Sequence, residues 1–370
     1  MQRRFLLPAT IIAGVAGLGA IGVFAASPST TIRAGDSLTV RCDGTRLSSS
    51  RVDAKTFQLS CTGSPATTTT APQPPSATVS PPAGGSQTML GGCSVFPADN
   101  AWNKVVTGLA VDANSTNYIN AIQNQYSSTD ARRKLHPDFG SDPTYGIPFD
   151  IVPANQANVP ITFTAFGSES DPGPYPVPPA AHVEAGSDRH VLVLQQGTCK
   201  LYEMYNAVKS GSGWNADSGA VFNLNSNALR PAGWTSADAA GLPILAGLVR
   251  YDEVKSGKIT HALRFTVRYT QHGYIAPATH LASSSTNSNY LPMGARLRLK
   301  PTFDTSTFHG DAKVILEALK TYGMIVADNG SDWYISGQMG VPWNDDDLNQ
   351  LKAVPGSAFE VLQTGPITKN

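Results

Sequence analysis

Charge is scarce in this chain. Only 15% of its 370 residues are charged, and 27 basic side chains are balanced by 27 acidic ones. Without net charge or a basic block there is no field to hold a phosphate backbone, so nucleic acid is not an expected partner. There are only four cysteines and no CxxC spacing, which argues against a zinc site and against a thiol nucleophile. No GxSxG elbow is present, which excludes the usual serine-hydrolase logic. No P-loop occurs, and no dinucleotide fingerprint stands between a strand and a helix, so nucleotide cofactors are not expected. No HxH or HExxH pair ties two histidines together as metal ligands. The expectation is therefore no cofactor and no metal.

Long apolar runs are missing everywhere except at the start. There, "MQRR" supplies positive charge, "FLLPATIIAGVAGLGAIGVF" is uncharged and apolar, and "VFAAS" offers small residues for cleavage near Ala25 or Ala26. Residues 1–26 read as an export signal; the apolar run is also about as long as a membrane span, so retention as an N-terminal anchor is the alternative. Either way the expected location is extracellular or at the cell surface. The cysteines agree with that address. Of the three possible pairings, Cys42 with Cys61 and Cys93 with Cys199 is the one that does not cross-link the two regions of the chain, and both bridges are expected.

What is present divides the chain into parts. Residues 28–63 carry short alternating runs, "SLTVRC" and "TFQLSC", between polar turn-formers, and predict a small β module needing a disulfide staple. Residues 64–88 are rich in Thr, Pro and Ser, with almost no large apolar side chain, and form a linker. The main domain, 89–370, holds strand-like segments such as "PITFTAF", "HVLVLQQ", "CKLYEMYNA", "GAVFNLN", "HALRFTVRYT", "ARLRLKP", "GMIVADN", "DWYISG" and "FEVLQ". Helices are predicted in "NSTNYINAIQNQYSS", "GDAKVILEALKTYG" and "NDDDLNQLKAV". Strands that rarely alternate with helices predict a mainly β fold, a large antiparallel β-sandwich or jelly-roll-like domain with a few peripheral helices.

Candidate chemistry lies in three places. "RYDEVKSGKITHALRFTV" gathers Asp252, Glu253, His261 and Arg264. Its first half also reads as a single helical turn with Asp252 at the N-cap, Glu253 in the first turn and Gly257 as the stop. In its second half strand alternation puts His261 on the apolar face and Arg264 on the other, so only a bulge would unite them. In "DRHVLVLQQGTCKLYEMYNA", Glu203 shares a face with Leu201 and Tyr205, and His190 heads the first arm of the hairpin. A glutamate in an apolar strand is costly to bury unless it is paired or functional; the pairing alternative is an arginine such as Arg189 or Arg264. His280 edges the long polar loop after "GYIAPATH". Trp214 and Trp234 sit in loop-like contexts, where an exposed ring would stack on a sugar, although a buried tryptophan is the commoner case.

The run "CSVFPADNAWN", "LHPDFG", "YGIPFDIV", "SNALRPAGWTSADAAGLPILAGLVRYDEV", "HALRFTV" and "LKTYGMIVADNGSDWYISG" resembles a recurrent secreted bacterial β-rich domain over residues about 93–363. The resemblance implies export and one integral domain, and it carries over no catalytic residue.

These readings predict a polysaccharide-acting enzyme, a glycoside hydrolase or lyase, whose partner is a polysaccharide or cell-wall glycan. Glu203 is expected as acid/base, Asp252 or Glu253 as second carboxylate, and His190, Arg264 or His280 as orienting groups, with Trp214, Trp234 and Tyr205 against the sugar. The alternative is a non-catalytic lectin or adhesin, or a structural protein of the cell envelope.

Overall fold

The computed structural model describes residues 30–33, 46–51, 56–62 and 89–369, in two units, Met1–Val79 and Ser80–Asn370. In the first unit, strands Thr30–Arg33, Arg46–Arg51 and Thr56–Thr62 form one antiparallel sheet with Thr56–Thr62 in the middle. The strand expected in "TFQLSC" is thus present. The export segment, the linker, "SLTVRC" and Cys42, and with it the pairing to Cys61, lie outside the described residues. Among the described residues no helix is long and apolar enough to cross a membrane.

In the second unit strands outweigh helices and are spread over several sheets. Every segment that reads in sequence as a strand of the main domain contains one. The two largest sheets have four and six strands. The four-stranded sheet runs Ser218–Asn223, Lys200–Tyr205, Val191–Gln195, Asp150–Val152. The six-stranded sheet runs Phe359–Val361, Arg296–Leu299, Met324–Asn329, Leu263–Val267, Tyr334–Ser336, His136–Asp138.

The expectation of antiparallel sheets needs correction, because the pairing is mixed. Asp150–Val152 runs parallel to Val191–Gln195, Leu263–Val267 to Met324–Asn329, and Tyr334–Ser336 to His136–Asp138. Parallel neighbours require long crossovers, and these differ in content: 153–190 is mostly irregular chain, whereas 268–323 carries strands Thr270–Tyr274, Leu291–Met293 and Arg296–Leu299 and the helix Gly310–Thr321.

Burial explains the strand compositions. In the hairpin of Val191–Gln195 and Lys200–Tyr205 both faces are covered. Leu192, Leu194 and Leu201 enter the main core, while Val191, Val193 and Met204 enter a second cluster with Tyr175 and Trp214. A strand covered on both sides reads as a continuous apolar run, as "VLVL" does. The Cys93–Cys199 disulfide ties the start of the domain to the turn of this hairpin.

The helices form where the periodicity places them. Ser115–Gln123 buries Tyr118, Ile119 and Ile122; Gly310–Thr321 buries Ile315, Leu316 and Leu319, and the chain leaves it through Gly323 at φ +70. Asp345–Asn349 starts under Asn344, whose side chain accepts hydrogen bonds from the backbone N–H groups of Asp346 and Asp347.

Candidate acid–base site

The loop 236–240, "SADAA", joins the two sheets and is held from every side. Ser218 Oγ donates to Ser236 O, and His190 Nε2 lies 3.1 Å from Ala237 O. The Asp238 carboxylate accepts from Arg264, whose Nε is 2.9 Å from Oδ2 and whose Nη2 donates to Oδ1. Ala239 N donates to Asp328 Oδ2 at 3.2 Å, and His280 Nδ1 lies 2.7 Å from Ala239 O. Ala240 N donates to Ala327 O at 2.9 Å. Small side chains let so many groups converge on so short a loop.

A β-bulge supplies the carboxylate that faces this loop. Between Leu263–Val267 and Met324–Asn329 the register runs Phe265 opposite Val326 but Thr266 opposite Asp328, so Ala327 is the extra residue. In an unbroken ladder Ala327 would stand opposite Thr266 and Asp328 would point away. The bulge turns Asp328 onto the face that carries Arg264 and Thr266. On the other side Arg264 Nη1 donates to Ser336 Oγ, and Ser336 is paired with Asp138 of the outermost strand. One end of the sheet therefore presents Asp328, Arg264, Ser336 and Asp138 on successive strands.

The site has a dry inner layer and a wetter outer one. Glu203, Asp238, Arg264 and His190 are buried. Asp328, Glu184, Tyr205 and His280 are half-buried, and Asp138 is exposed. His190 Nδ1 lies 2.5 Å from Glu184 Oε2, and its Nε2 faces a carbonyl. Both partners are acceptors, so the ring donates from both nitrogens and carries a proton on each. Burial alone would lower the His190 pKa, but the bond to Glu184 and its charge outweigh this and push it up to about 9. Burial works against the Glu184 carboxylate too, yet His190 holds it below its ordinary value. Asp328 goes the other way: burial, then the charge of Asp238, push it up to about 7 against the pull of Arg264 and of two backbone N–H groups, Ala239 N on Oδ2 and Asn329 N on Oδ1 at 2.6 Å. Asp138 is also raised, by the protein packed around its carboxyl, with Arg264 acting in the opposite sense.

The expected residues divide accordingly. His190, Glu203, Arg264 and His280 do converge on the loop or its immediate neighbours. Glu203, however, is fully buried, between Leu192 and Ala220 of the flanking strands. Its two oxygens accept the backbone N–H groups of Ile244 and Leu245, each at 2.9 Å. Burial raises it to about 7, but a carboxyl with no exposure cannot touch a substrate. The strand is covered on both faces, which overturns Glu203 as acid/base. Nor is it paired with an arginine: Arg264 binds Asp238, and Arg189 donates to Asn206.

Asp252 and Glu253 start the helix Tyr251–Lys255, as the helical-turn reading expects, although Arg250 rather than Asp252 is the N-cap. Glu253 is not available as second carboxylate, because Oε1 accepts from Arg250 Nη2 at 2.9 Å and Oε2 lies 3.0 Å from His261 Nε2. Asp252 is exposed, and among the described residues no bond links its side chain to the loop. Arg264 does not line an open face; its guanidinium is spent on Asp238 and Ser336.

Trp214 is not a loop ring either. It lies in strand Gly213–Ala216, buried in the second apolar cluster. Trp234 is half-buried with the Arg230 guanidinium 5.6 Å from its ring centre. Tyr205 is half-buried beside the His190 ring at 5.6 Å. His190, His261 and His280 each bond to a different partner, and among the described residues no group of three or more His, Cys, Asp or Glu is arranged to hold a metal ion.

Sequence reasoning missed Asp138, Glu184, Asp238 and Asp328. Asp328 carried one usable signal, an acid ending the apolar strand "MIVADN". Asp238 carried another, a lone acid among small residues. Comparison of the chain with protein-family models, with curated proteins and with solved structures returns no match.

Proposed function

We propose that this is an exported enzyme acting on a polysaccharide by acid–base chemistry, a glycoside hydrolase or lyase. Asp328 is the proton donor, and Glu184 is the ionised partner. The observation that carries the reading is the bulge that sets Asp328 on the Arg264 face beside loop 236–240. Two carboxyl groups in one site with pKa values driven apart, one up and one down, are what acid–base cleavage of a glycosidic bond requires. Oε2 of Glu184 faces His190, and among the described residues no hydrogen bond engages Oε1. Asp328, protonated, gives its proton to the leaving oxygen; Glu184 takes one from water or from the sugar carbon-bound hydrogen.

The buried layer serves these two groups. Arg264, fixed by Asp238 and Ser336, keeps a positive charge beneath them, and His190 orients Glu184. Tyr205 and His280, both half-buried beside His190 and the loop, are the sugar-facing groups of this reading. Export is supported by the N-terminal sequence and by the Cys93–Cys199 bridge, since such bonds persist in oxidising surroundings. The lectin alternative loses support from Trp214, whose ring is packed in the interior.

The test is product release from a panel of plant and cell-wall polysaccharides. Asp328→Asn is expected to lower kcat/KM about a hundredfold to ten-thousandfold. Glu203→Gln is expected to keep turnover per folded molecule within a few-fold. Full activity in Asp328→Asn overturns the assignment.

A further inference from the structure

A second region of the surface is built almost wholly from carboxamides. The helix Ser115–Gln123 turns Tyr118, Ile119 and Ile122 inward and carries no charged residue. Its outer side, continued by the residue after its last turn, presents Asn117, Asn120 and Asn124, all exposed. Facing them across an open hollow of about 350 Å³ are Asn287, Asn289 and Tyr290 from the long polar loop. No Asp, Glu, Lys or Arg lines it.

The hollow is braced. Asn114 Nδ2 donates to Ser288 O at 3.2 Å and Gln271 Nε2 to Tyr290 O at 2.6 Å, which pins the loop to the helix and to the neighbouring strand. The pairing of Thr270 with Leu291 brings Tyr269 beside Tyr290, where the rings stack at 5.5 Å and 21°. Tyr269 is 42% exposed and has the Arg268 guanidinium 5.1 Å from its ring centre. The side chains of Asn120, Asn124 and Asn289 make no hydrogen bond among the described residues, so their donors and acceptors are free for a ligand.

A surface helix is ordinarily solvated by charged side chains, with lysine and glutamate the usual choice. Carboxamides instead offer a donor and an acceptor on one planar group, and so match adjacent hydroxyls that do the same. An aromatic ring at the edge supplies a flat apolar face for the C–H side of a sugar ring. The absence of charge in the lining favours a ligand without carboxylate or sulfate, since a charged one would lose water there without gaining a counter-ion.

We propose that this hollow is a binding subsite for an uncharged saccharide chain, sharing no residue with the acid–base site. It holds the polymer at the surface and does not depend on turnover at Asp328.

The test is calorimetric titration of the full protein with cellohexaose, xylohexaose, mannohexaose and maltohexaose, and with an oligogalacturonate as the charged comparison. At least one neutral oligosaccharide is expected to bind. Asn120→Ala with Asn124→Ala, both at exposed positions, is expected to weaken that binding about tenfold or more without moving Tm. Asp328→Asn is expected to leave it intact. The proposal is overturned if no neutral oligosaccharide binds, if only the charged one does, or if the double variant binds as well as the wild type. Binding that persists in the hollow while no polysaccharide is cleaved would contradict the acid–base reading alone.

Discussion

At the residue scale the decisive contrast is between Glu203 and Asp328. Burial lifts both carboxyl groups to about 7, yet only Asp328 is half-buried while Glu203 is sealed in. A raised pKa is thus not by itself a functional mark; access decides. Glu203 stands out in the sequence through the cost of burying an acid in an apolar strand. Two backbone N–H groups meet that cost, and they are invisible in the sequence because Ile244 and Leu245 are remote from it. His190 was legible as the head of the hairpin, but its partner Glu184 was not, because nothing in "AHVEAGSDRH" marks the glutamate.

Both the sealed carboxyl and the paired imidazole have measurable effects on stability. Replacing Glu203 by Gln leaves one of the two N–H groups facing an amide instead of an acceptor, and is expected to cost about 1–3 kcal/mol of stability, read from denaturant midpoints. His190 sets a pH dependence. Its folded pKa lies above the ordinary 6.5, so its contribution to stability is complete below that value and is lost as pH rises through about 9. Thermal midpoints are expected to fall over that window, and His190→Gln is expected to flatten the fall. An equally steep fall in the variant would show that the His190–Glu184 pair is not its source.

At the scale of elements, the nine strand segments and the helices Ser115–Gln123, Gly310–Thr321 and Asp345–Asn349 could be read from their patterns. The short strands His136–Asp138, Asp150–Val152 and Gly213–Ala216 carry too little pattern to show. Nor could pairing be read: which strands lie parallel, and where the bulge falls. The bulge at Ala327 is a property of two strands jointly, and "GMIVADN" alone does not announce it. The "YDEVK" helix was legible from its acids and from Gly257, which sits at φ +83. The short helix Ile244–Gly247 shows how tightly elements meet beneath the site. A Cβ on Gly247 would stand 2.7 Å from Arg264 N and 2.7 Å from the Trp102 ring. Gly247→Ala is expected to destabilise the fold by about 1–3 kcal/mol and to lower activity by displacing the strand that carries Arg264. Chemical denaturation alongside turnover checks this, and wild-type behaviour in both would refute the close packing.

At the scale of the whole molecule, the sequence conveys a β-rich domain behind a linker, and the described structure agrees in its strand content and in the Cys93–Cys199 bond. That bond closes a separation of 106 residues. Removing it with Cys93→Ala and Cys199→Ala is expected to cost about 2–5 kcal/mol, seen as a lower denaturation midpoint. No change would mean that the bridge adds nothing to what the main core already holds.

The central claim is that the working acid is Asp328 and not the sealed Glu203. The pH dependence of kcat/KM in Glu203→Gln, on whichever polysaccharide the wild type cleaves, tests it most directly. If Asp328 donates the proton, the alkaline limb near 7 persists in this variant, because the group responsible is untouched. If the limb disappears with Glu203, the proton comes from the interior and the account is contradicted.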